Sequence, residues 1–378
     1  MEKTVYLDHA STTPLDSEVL KKMTPYLTEY FGNANSLHSI GRHAICALDD
    51  SRDTVARLIG AKPSEIYFTS CGTESDNWAI KSTAKAYRER GKHIISSPIE
   101  HPAVLNALDE LSSDGYEIEY IKVGADGVID LAHLKSIVRA DTIMVICMFV
   151  NNEIGTIQPI KEVASIAKSV GAISFTDAVQ ATGVINYDVK ELGVDMLSMS
   201  AHKFYGPKGV GALYVKNGVK LNPLLSGGHQ ERAKRGGTSN VAGAVGLAEA
   251  LKIALTTVDE DAKNVASLRD AFVEGVKKQL PFIKVNGGGD KVPANANITF
   301  CGVNGESLLF NLDLKGICAS NGSACSSGSI EPSKTLTEIG LTREEVRSTV
   351  RFTFGKHNTE EEVSYAIDAV VDCVKKLI

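Results

Sequence analysis

Strand-like and helical segments alternate through the first two thirds of this chain, and that alternation restricts its fold more than any other feature. The strand-like runs are IYFTS (66–70), HIISS (93–97), TIMVICMFV (142–150), AISFTDA (172–178), DMLSMSA (195–201) and GVGALYV (209–215). Between them lie stretches of helical periodicity, among them ESDNWAIKSTAKAYRER, PAVLNALDELSSDG and IKEVASIAKSVG. Strands that alternate with helices build βαβ units, so the expected fold is α/β with a mostly parallel sheet flanked by helices. The run 142–150 is apolar almost throughout, as suits a strand buried on both faces. Open sheets of this kind hold their ligands at the carboxyl ends of the strands.

The pattern changes near Asn240. From there to Leu280 the chain is helical in period and free of proline, with Gly243, Gly246 and Gly275 as its weak points. A helix of that length suits a connector between domains. The remainder mixes short strands (NITFCG, STVRFTF) with helices (GESLLFNLDL, TEEEVSYAIDAVVDCVKKL) and reads as a smaller α+β domain. The expected division is a large domain over 15–255 and a small one built from 1–14 and 256–378. Within the latter, 319–333 is rich in Ser, Gly and Asn, reads as a mobile loop, and contains Cys325.

A chain of 378 residues with 43% hydrophobic and 23% charged side chains suits a soluble globular protein with a large core. Its net charge of −6 supplies no broad basic surface, so neither nucleic acid nor membrane is an expected partner. No apolar run reads as membrane-spanning, and MEKTVYLDHASTTP does not read as a signal peptide. The expected home is the cytoplasm. The seven cysteines (Cys46, Cys71, Cys147, Cys301, Cys318, Cys325 and Cys373) include no C-x-x-C pair, and no metal site is expected. In a reducing compartment most act as apolar fillers.

Candidate chemistry gathers at predicted strand ends. In SMSAHKFYGPKGVG, Lys203 follows a strand inside the sheet, a poor place for a solvated charge. Partial burial frees a lysine amine to form an imine, and Ser200 and His202 beside it can bind phosphate. Asp177, in SFTDAVQAT, ends the preceding strand. It can hold a pyridine nitrogen protonated, or it can cap a helix. Gln180, about one helical turn on, can bond a phenolic oxygen. In SCGTESDN, Cys71 and Gly72 turn into a helix that starts near Thr73. Such a start binds anions, although Thr73 and Asp76 also fit a loose capping box. His101, in SPIEHPAV, can stack on a ring and move protons, or be structural. Asn152 and Glu153 follow the most apolar strand. The basic, glycine-rich stretch 226–240 offers Arg232, Lys234, Arg235 and Thr238 to a phosphate, or forms a solvated loop. GPKGVG does not match a dinucleotide fingerprint, and neither a P-loop nor H-E-x-x-H occurs.

In this order, the segments YLDHASTTP, FGNANSLHSIGR, FTSCGTESDN, EHPAV, VNNEIGTIQP, TDAVQATG, SAHKFYGPKGVGALYV, GGHQERAKRGGTSNV, NGSACSSGSIEPS and STVRFTFG resemble the NifS/IscS-type cysteine desulfurases. These are class V members of the fold-type-I pyridoxal-phosphate enzymes. The resemblance runs nearly end to end. It implies that Lys203 is the imine lysine, Asp177 the pyridinium partner, Gln180 the phenolate contact and His101 the stacking acid–base group. Gly72, Thr73, Ser200 and His202 then form the phosphate site. Thr238 resembles the threonine that reaches the phosphate from a partner subunit, which implies a homodimer. Arg351, assisted by Asn152, looks like the guanidinium that grips the substrate carboxylate. Cys325 matches the persulfide-forming cysteine, and its long loop resembles the group-one type that delivers sulfur to a protein acceptor. The implied reaction turns L-cysteine into L-alanine and feeds iron–sulfur cluster or other sulfur-compound synthesis.

Two other readings share the fold: a selenocysteine lyase or small aminotransferase, and a non-catalytic scaffold. The Cys325 loop speaks against the former. The joint presence of Lys203, Asp177, His101, Cys325 and Arg351 speaks against the latter. Ala201 and Cys71 stand where many members have glycine. The chain also ends soon after its last predicted helix, where IscS-type members carry a longer tail that contributes to scaffold docking.

Overall fold

The computed structural model describes residues 4–321 and 332–378. In chain order its strands are β1 (Val5–Tyr6), β2 (Ile66–Thr69), β3 (His93–Ser96), β4 (Glu117–Tyr120), β5 (Thr142–Ile146), β6 (Ile173–Asp177), β7 (Met196–Ser200), β8 (Gly211–Val215), β9 (Lys284–Val285), β10 (Asn295–Thr299), β11 (Ile317–Cys318) and β12 (Thr349–Thr353). Seven of them form the central sheet, in the order β2-β8-β7-β6-β5-β3-β4. The pairings from β7 through β6, β5 and β3 to β4 are all parallel. Only β8 runs against its neighbours β2 and β7. The carboxyl ends of β2, β3, β5, β6 and β7 therefore open on the same edge.

The strands inside this sheet are buried on both faces, polar side chains included. Every residue of β5, β6, β7 and β8 is buried. The run expected to reach Val150 ends as a strand at Ile146: Cys147 and Phe149 N–H still donate to the β6 carbonyls of Phe175 and Asp177, but Met148 N–H donates to the Glu100 side chain. The edge strand β4 has the sequence EIEY, and its glutamates break the apolar signal. Charged, partly exposed residues are what an edge strand needs to avoid pairing with another chain.

A second core gathers on the antiparallel strands β9, β10 and β12 and on the helices Gly305–Asp313 and Glu360–Leu377. Val5 and Leu7 join it, and β1 pairs in parallel with β11. The helix Val241–Gln279 connects the two cores, capped by Asn240, whose side chain accepts from Gly243 N–H at 2.9 Å. It packs on the helices Ser17–Thr28 and Ser39–Leu58 and on Glu360–Leu377. Its glycines mark close approaches. A Cβ at Gly246 would meet Met23 Sδ at 2.5 Å, and one at Gly275 would meet Ile367 Cδ1 at 2.5 Å. This helix is long and apolar enough by composition to cross a membrane, contrary to the expectation that no run reaches that length. Most of its apolar window, 61%, is buried inside the protein, where it serves as a core helix.

The N-terminal segment runs from the second core to the end of β7. Asp8 bridges to Thr353. Thr13 N–H then donates to the His202 carbonyl at 2.9 Å, and Tyr205 N–H donates to Thr13 Oγ1 at 2.8 Å. Tyr205 holds a left-handed φ of 63°, uncommon for a residue with a side chain. Two histidines lie in this clasp, His9 buried and His202 half-buried. Burial, helped by nearby His357, lowers the His9 pKa to about 4. Burial, helped by Lys203 and Lys208, lowers that of His202 to about 4.

Phe272 is fully buried, with ring centroids 4.8 Å from Phe352 and 5.5 Å from Phe354. Phe272→Ala should therefore lower unfolding stability in urea by about 3–5 kcal/mol. These two histidines bind protons in the unfolded chain at a higher pH than in the folded one. The share of the cofactor-free protein's stability that these two histidines carry should fall as pH drops from about 6.5 to about 4, then level off. His9→Asn should flatten that slope in denaturant titrations taken across the window.

Candidate active site

The carboxyl ends of β2, β3, β5, β6 and β7 open on a cleft of about 770 Å³, closed from the other core by Ala10, Ser11 and Arg351. Lys203 enters it from a short 3₁₀ turn, Ala201–Lys203, at the end of β7. Its Nζ donates to the carbonyls of Ala10 at 2.5 Å and Ser11 at 2.8 Å. Two carbonyls aimed at one ammonium hold the side chain in place without neutralising it. Ala201, where glycine is frequent in the resembling proteins, is fully buried in this turn and needs no left-handed backbone.

Asp177 ends β6 and is 5% exposed. Its Oδ1 accepts from Val179 N–H at 2.9 Å. Burial pushes this carboxyl up; His101, Lys203 and the hydrogen bond from Val179 pull it back. A cation placed against it favours the ionised form. Gln180 lies in a series of turns rather than on a regular helix, and its Nε2 donates to the Ala10 carbonyl at 2.9 Å.

His101 caps the helix Pro102–Ser113, and its Nδ1 accepts from Ala103 N–H at 3.1 Å. An accepting Nδ1 places the proton of a neutral ring on Nε2. Burial, helped by Lys203 and opposed by Asp177, lowers the imidazole pKa and keeps that ring neutral.

The helix Gly72–Tyr87 begins one residue earlier than its sequence suggests, and Asp76 is not part of a capping box. The cap residue is Cys71, whose side chain bonds none of the first amides. Asp76 instead points inward, with Ser198 Oγ 2.6 Å from its Oδ1. Gly72 lies where a Cβ would meet Val179 Cγ2 at 2.7 Å. Thr73, Ser200 and His202 complete this end of the cleft.

Arg351, on β12, is 2% exposed. It donates to the Asn152 carbonyl at 2.9 Å, to Asp8 Oδ1 at 2.8 Å and to Ser11 Oγ at 2.8 Å. Asn152 lines the cleft. Its neighbour Glu153 does not; it is buried and accepts from Ser333 Oγ at 2.6 Å.

The cleft thus assembles Gly72, Thr73, His101, Asn152, Asp177, Gln180, Ser200, His202, Lys203 and Arg351. It does not include Thr238, which is exposed on the 226–240 stretch. The basic side chains there turn to the protein rather than to a phosphate. Arg235 pairs with Glu74 at 2.5 Å, Arg232 donates to the Ile66 carbonyl and Lys234 to that of Leu221, each at 2.7 Å. Cys325 and most of the loop 319–333 lie outside the described residues. Asp8, Asp76 and Ser198 are site residues that sequence reasoning misses. Asp8 sits in a recognised segment without a role, and the spacing of Asp76 from Thr73 imitates a cap.

These residues fit pyridoxal phosphate. Ser200 Oγ is buried and has no hydrogen-bond partner among the described residues, which suits a hydroxyl reserved for an anion. It lies beside a helix start left without a side-chain cap and beside the space that Gly72 keeps open. Asp177 and Lys203 line the same cleft and offer the carboxylate and the amine that a pyridine nitrogen and an aldehyde carbon call for.

The aminotransferase class-V family model matches residues 5–365. A cysteine desulfurase IscS of Dictyoglomus turgidum is 47% identical over 378 residues, covering 100% of this chain and 96% of that protein. Among solved structures, a NifS-like protein superposes with a TM-score of 0.94 at 38% identity, covering 99% of this chain and 100% of the other. The structure of SspA in complex with cysteine gives a TM-score of 0.84 at 35% identity, covering 94% and 100%. A family match over nearly the whole chain, joined to near-half identity along its full length, means that the chain belongs to the aminotransferase class-V family, among its NifS/IscS-type cysteine desulfurases.

Proposed function

We propose that this protein is a pyridoxal-phosphate-dependent cysteine desulfurase. It takes sulfur from L-cysteine, leaves L-alanine, and passes the sulfur from a persulfide on Cys325 to a protein acceptor. The observation that carries the reading is the meeting of Lys203, Asp177, His101 and Arg351 in one cleft, although they come from two cores. The structural relative SspA is in complex with cysteine, which supports the choice of substrate.

Bound pyridoxal phosphate supplies an electron sink that weakens bonds at the Cα and Cβ of an amino-acid substrate. Asp177, as an anion, keeps positive charge on the ring nitrogen. Thr73, Ser200, His202 and the first amides of the helix at Gly72 grip the phosphate. Arg351, with Asn152, orients the substrate carboxylate and so turns Cα toward Lys203. Lys203 Nζ, once released, takes the Cα proton, and His101 Nε2 faces the same space. Cys325, as a thiolate, then attacks the substrate sulfur. The new S–S bond forms as the Cβ–S bond breaks, its electron pair stays with carbon, and protonation there completes alanine. An ordinary thiol, with a pKa of about 8.5, is mostly protonated at neutral pH, so Cys325 needs a proton acceptor at the moment of attack.

The working unit in this reading is a homodimer. Thr238 is exposed and outside its own cleft, which suits a residue that reaches a phosphate in a second copy. Leu27, Phe31 and Leu37 offer exposed apolar surface for such a contact. The reading places the chain in the cytoplasm, where the six free cysteines among the described residues stay reduced. The acceptor belongs to iron–sulfur cluster assembly or another sulfur-compound synthesis.

Incubation with pyridoxal phosphate, L-cysteine and dithiothreitol should release equal amounts of alanine and sulfide. Cys325→Ser should reduce sulfide to background while the cofactor's imine absorbance persists. Wild-type sulfide output from that variant would remove Cys325 from the reaction. Lys203→Ala should lose the imine band and lower turnover by roughly 10²–10⁴-fold.

A further inference from the structure

The stretch 226–240, which carries Thr238, holds most of the backbone strain in the protein. Among the described residues four non-glycine residues have a left-handed φ, and three of them are consecutive here: Glu231 at 44°, Arg232 at 58° and Ala233 at 60°. L side chains rarely adopt that region, so a run of three persists only where the surrounding contacts impose it. The residues just before, 226–229, are exposed, whereas Glu231 is buried. Its Oε1 accepts from Arg52 Nη2 at 2.8 Å and its Oε2 from Arg52 Nη1 at 2.7 Å. Oε2 also accepts from Phe68 N–H at 3.0 Å. Arg52 is buried as well and donates to the Ile66 carbonyl at 2.7 Å. A buried, bidentate ion pair thus anchors the left-handed run, the kind of contact that fixes one conformation over others.

The anchor sits on β2, the edge strand of the central sheet. Glu231, Arg52 and Arg232 occupy the Phe68 N–H and the Ile66 carbonyl there, which protects the edge. Edge protection alone needs no left-handed backbone, so the strain calls for another account. From the anchor onward the chain is held closely. Lys234 N–H donates to the Glu231 carbonyl at 3.1 Å, Arg235 pairs with Glu74, and Gly236 N–H donates to the Leu225 carbonyl at 3.0 Å. A Cβ at Gly236 would meet Gly227 Cα at 2.6 Å, so the two arms of the loop touch. Beyond it, Asn240 caps the long helix. Thr238 stands exposed between these holds. A residue that must meet a phosphate in a second copy binds better when it is fixed beforehand, because ordering a free loop opposes binding. We infer that Glu231 is a positioning residue for the partner subunit's cleft: paired with Arg52, it imposes the left-handed turn that sets Thr238 in place for the phosphate bound by the second copy. This role rests on the homodimer reading of Thr238.

Mixed dimers, co-expressed with two different tags, separate an effect on the partner's cleft from an effect on the residue's own. One chain carries Lys203→Ala, so only the other chain's cleft gives the imine absorbance when pyridoxal phosphate is titrated in. In the first mixed dimer Glu231→Gln lies on the Lys203→Ala chain, and the live cleft receives the altered loop. Its Kd for pyridoxal phosphate should rise roughly tenfold, the effect of losing one hydrogen bond to a charged group. In the second, Glu231→Gln lies on the chain with the live cleft, which receives an intact loop. That Kd should stay within about twofold of the dimer without Glu231→Gln. Adding Thr238→Ala to the altered chain of the first dimer should change its Kd by less than about twofold more, since the glutamate acts through that threonine. Glu231→Asp keeps the charge but shortens the reach, so it should shift the first dimer in the same direction, and it decides the matter where Glu231→Gln does not fold. Equal shifts in both dimers, a shift in the second alone, no shift in the first, or a full further loss with Thr238→Ala would overturn the inference. A wild type that binds pyridoxal phosphate while sedimenting as a monomer would instead remove the homodimer reading, and the role of Glu231 with it.

Discussion

The Lys203 amine is held by two main-chain carbonyls, those of Ala10 and Ser11, and the rest of the site depends on how those carbonyls arrive. The segment that carries them starts in the second core, with Val5 and Leu7 packed there, and ends against the His202 carbonyl at Thr13. The same segment bonds Arg351 through Asp8 and Ser11, and Gln180 through Ala10. One N-terminal stretch, turning at His9–Ser11, thus fixes the amine, the guanidinium and a ring-contact amide relative to one another. Its own geometry is fixed by β1, which pairs with β11.

Electrostatics at the site follows from burial more than from charge. Asp177 sits inside the sheet, where a lone carboxylate is costly, so its charge depends on the donors around it. His101 is neutral for the same reason, and its tautomer is set by a backbone amide rather than by a side chain. Arg351 keeps its charge but commits part of its hydrogen bonding to Asp8 and the Asn152 carbonyl. The protein thereby presents groups whose protonation is set before a substrate arrives, which is what preorganised catalysis requires.

What can be read from sequence divides along physical lines. The parallel sheet is legible because buried strands leave unbroken apolar runs, and Lys203 and Asp177 are legible because they follow such runs. The long helix from Asn240 is legible from its period and its lack of proline. Strand β4 is hidden, because Glu117 and Glu119 look like loop residues until a neighbouring strand pairs with them. Ala10 and Ser11 are hidden as well, since they act through carbonyls that every residue carries. Asp76 misleads because local spacing fits a cap, whereas its true partner is 122 positions away. Arg351 can be placed only by resemblance, because nothing in STVRFTF marks one arginine in a buried strand as a ligand. Cys325 rests on resemblance alone, since it lies outside the described residues.

The helix Val241–Gln279 has one further consequence. At about 1.5 Å per residue, its 39 residues span close to 60 Å, roughly twice the diameter of a small domain. Its first half is part of the core that carries Lys203, and its second half is part of the core that carries Arg351. The helix therefore behaves as a common beam. Any tilt between the cores must bend it or slide it past Gly246 and Gly275, where neighbouring side chains already touch its backbone surface. The helix thus holds the two cores at a set spacing, and together with the N-terminal stretch that bonds both the amine and the guanidinium it limits the size of amino acid that fits between them.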